Sequence, residues 1–99
     1  MFRHVVMFKF VDTVTAEQKL AVLEGLSRLP NEIGQIRSFS FGEDARVVDG
    51  NYDVVVVADF DSSDDYLVYA SHPGHREFVS TCVLPVLASR AAVQYAASE

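Results

Sequence analysis

The chain contains three histidines, and two of them lie close together. His72 and His75 flank Pro73-Gly74, Tyr69 stands three residues before His72, and His4 sits in an apolar stretch near the start. An imidazole that titrates near neutral pH, a phenol that can donate a proton and a second imidazole to orient or share it are the ingredients of an acid/base site. A helix beginning at Pro73 would add free backbone N–H groups able to face an anion or oxyanion. Structural readings compete with this one. His72 is most simply a helix-boundary residue, because a residue before proline avoids the α region. His4 reads equally well as a hydrogen-bonded residue at a strand end. No cysteine or acid stands at a spacing that would complete a metal set with His72 and His75, so no metal is expected. Asp64 and Asp65 read as helix-start charges rather than a catalytic pair, and Cys82 as a small core residue. No GxGxxG, P-loop, HExxH or GxSxG pattern occurs, which removes support for nucleotide, zinc-protease and serine-hydrolase chemistry.

Positioning these residues requires a scaffold, and its elements can be read in order. The segment from Arg3 to Val11 is rich in β-branched and aromatic residues, with His4, Val6, Phe8 and Phe10 on one face and Val5, Met7 and Val11 on the other. Thr15 with Gln18 forms a capping-box pattern, and Leu20, Leu23, Leu26 and Leu29 follow at near-helical spacing up to Pro30, where the helix is expected to stop. Residues 36–43 alternate as an edge strand, and residues 52–60, with four consecutive valines from Val54 to Val57, read as a strand buried on both faces. Ser62 and Ser63 open a second helix, His72-Pro73 breaks it, and Pro73 suits the first position of a further helical segment carrying His75, Phe78, Val79, Cys82 and Val83. Leu84-Pro85 marks an end or kink. A last strand is expected near residues 91–96, with Ala91, Val93 and Tyr95 on one face.

The order is therefore β-α-β-β-α-β, an α+β arrangement in which the first and third strands are central. Two helical segments can cover only one face of a four-stranded sheet. The other face, with Val5, Met7 and some of the valines between 54 and 57, would meet water in a monomer. Exposed apolar patches of that kind mark interfaces, so a homodimer through the open sheet face is expected; loops folding back over it are the alternative.

Length and composition are consistent with this plan. At 99 residues, 49% hydrophobic and 11% aromatic, the chain builds one domain, residues 1–99, with one core. Its formal net charge is -6, with no Lys/Arg cluster, which argues against nucleic acid and anionic membrane as partners. The opening segment alternates apolar residues with Arg3 and Lys9 and reads as a strand, not a signal peptide. No apolar run reaches the roughly 20 residues of a membrane span. One cysteine cannot form an internal disulfide, which points to a cytoplasmic location.

The opening His4-Val5-Val6-Met7-Phe8-Lys9-Phe10, the run Ala58-Asp59-Phe60-Asp61-Ser62, the Tyr69-x-x-His72-Pro73-x-His75 turn with Phe78, and the closing Val93-Gln94-Tyr95 resemble the stress-responsive dimeric A/B barrel (Dabb) domain family over nearly the whole chain. The resemblance implies a ferredoxin-like βαββαβ sandwich with helices on one face, paired with a second copy into a dimeric α/β barrel. The family includes olivetolic acid cyclase, which closes a linear polyketide by an intramolecular aldol condensation without metal or organic cofactor. On that resemblance His75, Tyr69 and His4 are the catalytic candidates, with His72, Phe78 and Tyr95 as ligand-binding candidates and no cofactor. A histidine frequent in the family's third strand is replaced here by Val54, and an acid before the terminal tyrosine by Gln94. Three functions follow as expectations: cofactor-free acid/base chemistry of the cyclase or lyase type on a small hydrophobic or polyketide-like ligand bound between sheet and helices; a non-catalytic stress-related structural role; or a dimeric α+β barrel monooxygenase.

Overall fold

The computed structural model describes Met1–Ser98. Strand β1 (Phe2–Phe10) leads to helix α1 (Ala16–Glu32), then β2 (Ser38–Glu43), β3 (Val54–Phe60), α2 (Ser63–Ser71), α3 (Pro73–Phe78) and β4 (Leu87–Ala96). Between α3 and β4 the chain makes a π-helical turn at Val79–Val83 and a 3-10 turn at Leu84–Val86. The strands form one antiparallel sheet in the order β2-β3-β1-β4, so β1 and β3 are central, as the apolar pattern requires.

Local chemistry accounts for most element boundaries. Thr15 caps α1 in a reciprocal capping box, accepting from the Gln18 backbone while the Gln18 side chain accepts from the Thr15 N–H. The Ser62 hydroxyl accepts from the Asp65 N–H at the start of α2. Pro73 occupies the first turn of α3, where a missing N–H costs nothing. Pro30 does not end α1, which continues to Glu32. In the last turn a proline removes a single bond, and the next is intact: the Ile33 N–H donates to the Leu29 carbonyl at 3.0 Å.

The stripe of α1 that faces the sheet also differs from the leucine repeat. Val22, Gly25, Leu26 and Leu29 are buried, whereas Leu20 is 55% exposed. A strict three-residue spacing lags the helical repeat of about 3.6 residues, so over nine residues it drifts about half a turn around the axis. Leu20 and Leu29 therefore point in opposite directions. At Gly25 an added Cβ would lie 2.3 Å from the Phe78 ring, so glycine is what lets α3 approach α1 this closely. Strand β4 begins at Leu87, ahead of the expected 91, because pairing with β1 through Leu87 opposite Phe10 overrides the weak β-propensity of Ala88, Ser89 and Arg90. Strands β2 and β3 each begin two residues later than expected, at Ser38 and Val54.

The core lies between the sheet and α1–α3. Phe60, Leu26, Leu29, Ile33, Val22 and Val56 are among its fully buried side chains. Each such side chain contributes about 1.5–3 kcal/mol relative to exposure. On the reverse of the sheet Met7 is 37%, Val55 36%, Val93 59% and Tyr95 46% exposed. One end of that face is polar: Arg3 grips Asp59 through Nε and Nη2 at 2.7 and 2.9 Å, and the Ser38 hydroxyl donates to the same carboxylate at 2.8 Å. Arg3 and Ser38 hold the Asp59 carboxyl below the usual carboxylate range against the opposing effect of burial. No helix among the described residues is long and apolar enough to cross a membrane.

Candidate functional site

The strand register and the helix break bring three distant residues to one place. His4 lies opposite Ala58 on β3 and Gln94 on β4, with its side chain on the helix-covered face, and is 4% exposed. Tyr69, 3% exposed, comes from the last turns of α2, and His75 from α3 directly after the proline break. The Tyr69 and His75 rings stand 4.3 Å apart between centroids, and His4 is 6.5 Å from Tyr69. All three line a cavity of about 150 Å³ between sheet and helices, walled otherwise by apolar residues such as Val6, Phe8, Val56 and Phe78. Larger hollows of about 300 Å³ between α1 and α3 and about 560 Å³ beside the 44–53 loop contain none of the three.

Hydrogen bonds decide how each ring can act. His75 Nδ1 donates to the Ala70 carbonyl at 3.2 Å, so the neutral ring carries its lone pair on Nε2. Burial pushes the His75 pKa down, the Ala70 carbonyl opposes this, and the charges of His72 and Arg90 reinforce it. The outcome is a neutral imidazole with a free basic nitrogen. His75 also lines an outer depression of about 220 Å³ together with Val79 and Leu84, two residues it shares with the inner cavity, and so stands between cavity and surface. Burial raises the Tyr69 pKa, and the nearby Tyr66 adds to this, so Tyr69 remains a protonated phenol and a hydrogen-bond donor. His4 accepts from the Gln94 side-chain amide at Nδ1, 3.0 Å away. Its pKa is pushed down to about 4, first by burial and then by Arg90 and His75.

Gln94 therefore anchors His4, and His75 is oriented separately by the Ala70 carbonyl. Of the remaining candidates, Phe78 lines the cavity. His72 does not reach it: its Nδ1 accepts from the Gly74 N–H at 3.0 Å and caps α3. Tyr95 lies on the opposite face of the sheet, paired with Arg3, whose guanidinium carbon is 6.0 Å from the Tyr95 ring centroid. Val54 is buried on the helix side at 3% exposure. Cys82 is a free thiol packed against the core.

Two cavity residues were not legible as candidates. Tyr66, one helical turn before Tyr69, packs in a tilted arrangement 4.8 Å from the His4 ring, and the i, i+3 spacing on α2 was the available signal. Arg90 pairs with Phe8 and reaches the cavity from β4. Starting that strand at Leu87 is what places Arg90 on the same face as Gln94. Among the described residues no three or more His, Cys, Asp or Glu side chains gather as a metal set.

A single antiparallel sheet in this order with helices on one face defines an α+β protein of the ferredoxin-like class. Residues 2–97 match the profile of the stress responsive A/B barrel domain, and the chain belongs to that family. It is 42% identical to a dimeric ferredoxin-like protein of unknown function from Thermobifida fusca, whose crystal structure superposes with a TM-score of 0.89 over 97% of this chain and 90% of that one. A stress-response A/B barrel domain-containing protein of Arabidopsis thaliana is 31% identical over 80 residues, 78% of this chain and 69% of the plant protein. A hydroxynitrile lyase from Passiflora edulis shares the fold with a TM-score of 0.84 at 19% identity, over 99% of this chain and 94% of the lyase.

Proposed function

We propose that the protein is a homodimer, paired through the open sheet face into an α/β barrel, and that each subunit carries out cofactor-free acid/base chemistry on a small carbonyl compound. The dimeric Thermobifida fusca relative and the exposed apolar residues of β1, β3 and β4 support the pairing. The unpaired Cys82 suits a reducing compartment such as the cytoplasm.

The observation that carries the chemical reading is the Tyr69–His75 pair, with Nδ1 of His75 committed to Ala70 and Nε2 left basic. His75 takes a proton from the carbon beside a carbonyl, and the electron pair moves onto the carbonyl oxygen, where the Tyr69 hydroxyl donates to the enolate. The enolate carbon then attacks a second carbonyl of the same molecule, a carbon–carbon bond forms, and the resulting alkoxide recovers the proton from His75. The reverse sequence cleaves such a bond. His4, neutral and held by Gln94, forms the polar wall opposite the pair. The cavity is smaller than the roughly 300–1,000 Å³ of drug-sized sites, so the substrate is compact or projects through the mouth beside His75. The chemistry is of the polyketide-cyclase or lyase type.

Exchange of the α-proton of a small β-dicarbonyl compound in deuterated buffer, followed by NMR, tests this. The protein is expected to accelerate exchange, with a loss of about a hundredfold or more in His75→Ala and a clear loss in Tyr69→Phe. Exchange no faster than in buffer, or unchanged in both variants, overturns the reading. A non-catalytic ligand-binding role is favoured by one observation: a backbone carbonyl, not a carboxylate, orients His75, and it gives the ring no full charge to stabilise an imidazolium. Ligand binding without any exchange would select that role.

A further inference from the structure

The cavity lining includes one charged group that the acid/base chemistry leaves unused. Arg90, an exposed residue of β4 on the same side of the sheet as His4 and Gln94, lines its edge and is the only charged residue among the described residues that line it. Among the described residues no aspartate or glutamate shares the lining. Arg3, Arg37 and Arg46 each close on an aspartate, whereas Arg90 makes no ion pair with a described carboxylate. In a chain of net charge -6, the cavity thus presents an unneutralised cation beside two neutral histidines. An arginine without a described carboxylate partner at the edge of an otherwise uncharged pocket can receive one from a ligand: its planar fork matches a carboxylate through two parallel hydrogen bonds.

We propose that Arg90 makes the cavity selective for small carbonyl compounds that bear a carboxylate, binding the carboxylate at the mouth while the carbonyl reaches Tyr69 and His75. The assignment rests on the acid/base reading of this site for the position of the carbonyl and on the Arg90 geometry alone for the carboxylate. One cation balances one negative charge. A phosphate monoester, with nearly two, would bring uncompensated charge into an acidic protein. The substrate class is therefore an oxo acid of compact size, such as an aryl or short-chain keto acid.

The test uses the whole protein and three probes of similar shape, benzoate, benzyl alcohol and phenyl phosphate, with binding followed by NMR shift perturbation. The native chain is expected to bind benzoate about tenfold or more tighter than benzyl alcohol, a typical margin for a charge-assisted bidentate pair. Arg90→Gln is expected to bring that ratio close to one, and Arg90→Lys to retain part of it. Equal affinity for the two probes, an unchanged ratio in Arg90→Gln, no detectable benzoate binding, or tighter binding of phenyl phosphate overturns the inference. The two readings fail separately. Carboxylate preference without proton exchange removes only the acid/base chemistry, and exchange without carboxylate preference removes only the role of Arg90.

Discussion

Adjacent residues on β1 and β3 have opposite surroundings although their side chains are nearly the same. Val6, Phe8, Val56 and Ala58 are almost fully buried under the helices, while Val5 and Val57 are half-buried and Met7 and Val55 lie more open on the reverse. The middle strands carry apolar side chains on both sides, and what differs is how far each side is covered. The chain closes the first face itself, and that face can hold a finished cavity. On the second face the apolar residues are left half-buried or open. Their polar groups are sorted in the same sense. On the helix side the buried polar groups, His4 and Tyr69, are neutral, and the charged Arg90 stays exposed at the cavity's edge. The open side keeps its charges as the Arg3–Asp59 pair at one end, where Arg3 is one-third exposed.

The contrast breaks most visibly at its open half. Val5 faces Val57 on one side and Val93 on the other, at the middle of the exposed stripe. Val5→Asp adds a charge that a lone subunit tolerates in water but an apolar partner face does not. The expected outcome is a shift from dimer to monomer by light scattering at micromolar concentration, with loss of several kcal/mol of stability, since roughly 800 Å² per partner is removed from an interface of ordinary size. A Val5→Asp protein that remains dimeric would place the interface elsewhere.

The covered half is tested by acid. His4 is folded as a neutral ring with its pKa pushed from 6.5 down to about 4. Between these values the unfolded chain takes up a proton that the folded one refuses. Its contribution to stability is therefore complete above about pH 6.5 and is lost progressively down to about pH 4. At about 1.4 kcal/mol per unit, the loss reaches about 3 kcal/mol. His75, shifted in the same direction, adds to it. Denaturant midpoints measured across this range should fall, and the slope should flatten in His4→Gln. Asp59, whose pKa is lowered by Arg3, steepens the fall only at lower pH: its stabilisation is present above the ordinary carboxylate value near 3.8 and fades below it. An unchanged slope in His4→Gln would show that His4 is not the buried neutral group.

The same alternation explains what the sequence made legible. The faces of β1, the order of elements, the Thr15–Gln18 capping box and the Pro73 break are local patterns, and each reappears in the fold. The meeting of His4, Tyr69 and His75 followed from the helix-facing side of β1 and the position of the break. Misreadings arose where tertiary contacts overrule local preference. Pro30 stays within α1 because the turn after it is already closed, and Leu20 leaves the core because a three-residue repeat drifts around the helix. Arg90 escaped notice because Ala88 and Ser89 conceal the start of β4, which only its pairing with β1 establishes. Tyr95 shows the strength of the period-two rule. It shares the face of Ala91 and Val93, so the strand pattern itself puts it across the sheet from His75 and Gln94, and only the resemblance placed it among the ligand contacts.

The smallest expected effect separates two neighbouring valines. Val56 is 1% exposed under the helices and Val55 36% exposed on the reverse. Val56→Ala removes buried methyl groups and leaves a void that the packed core fills only in part, a cost of about 2 kcal/mol. That cost arises within one subunit and should be the same at any protein concentration. Val55→Ala should cost a separated subunit less than about 0.5 kcal/mol, and more only where a second subunit covers the residue. Denaturation at high and low protein concentration distinguishes the two: the Val56→Ala shift stays constant, and the Val55→Ala shift shrinks on dilution. If Val55→Ala costs as much as Val56→Ala at every concentration, both faces are closed within a single chain, and the difference between them is one of degree rather than of partner.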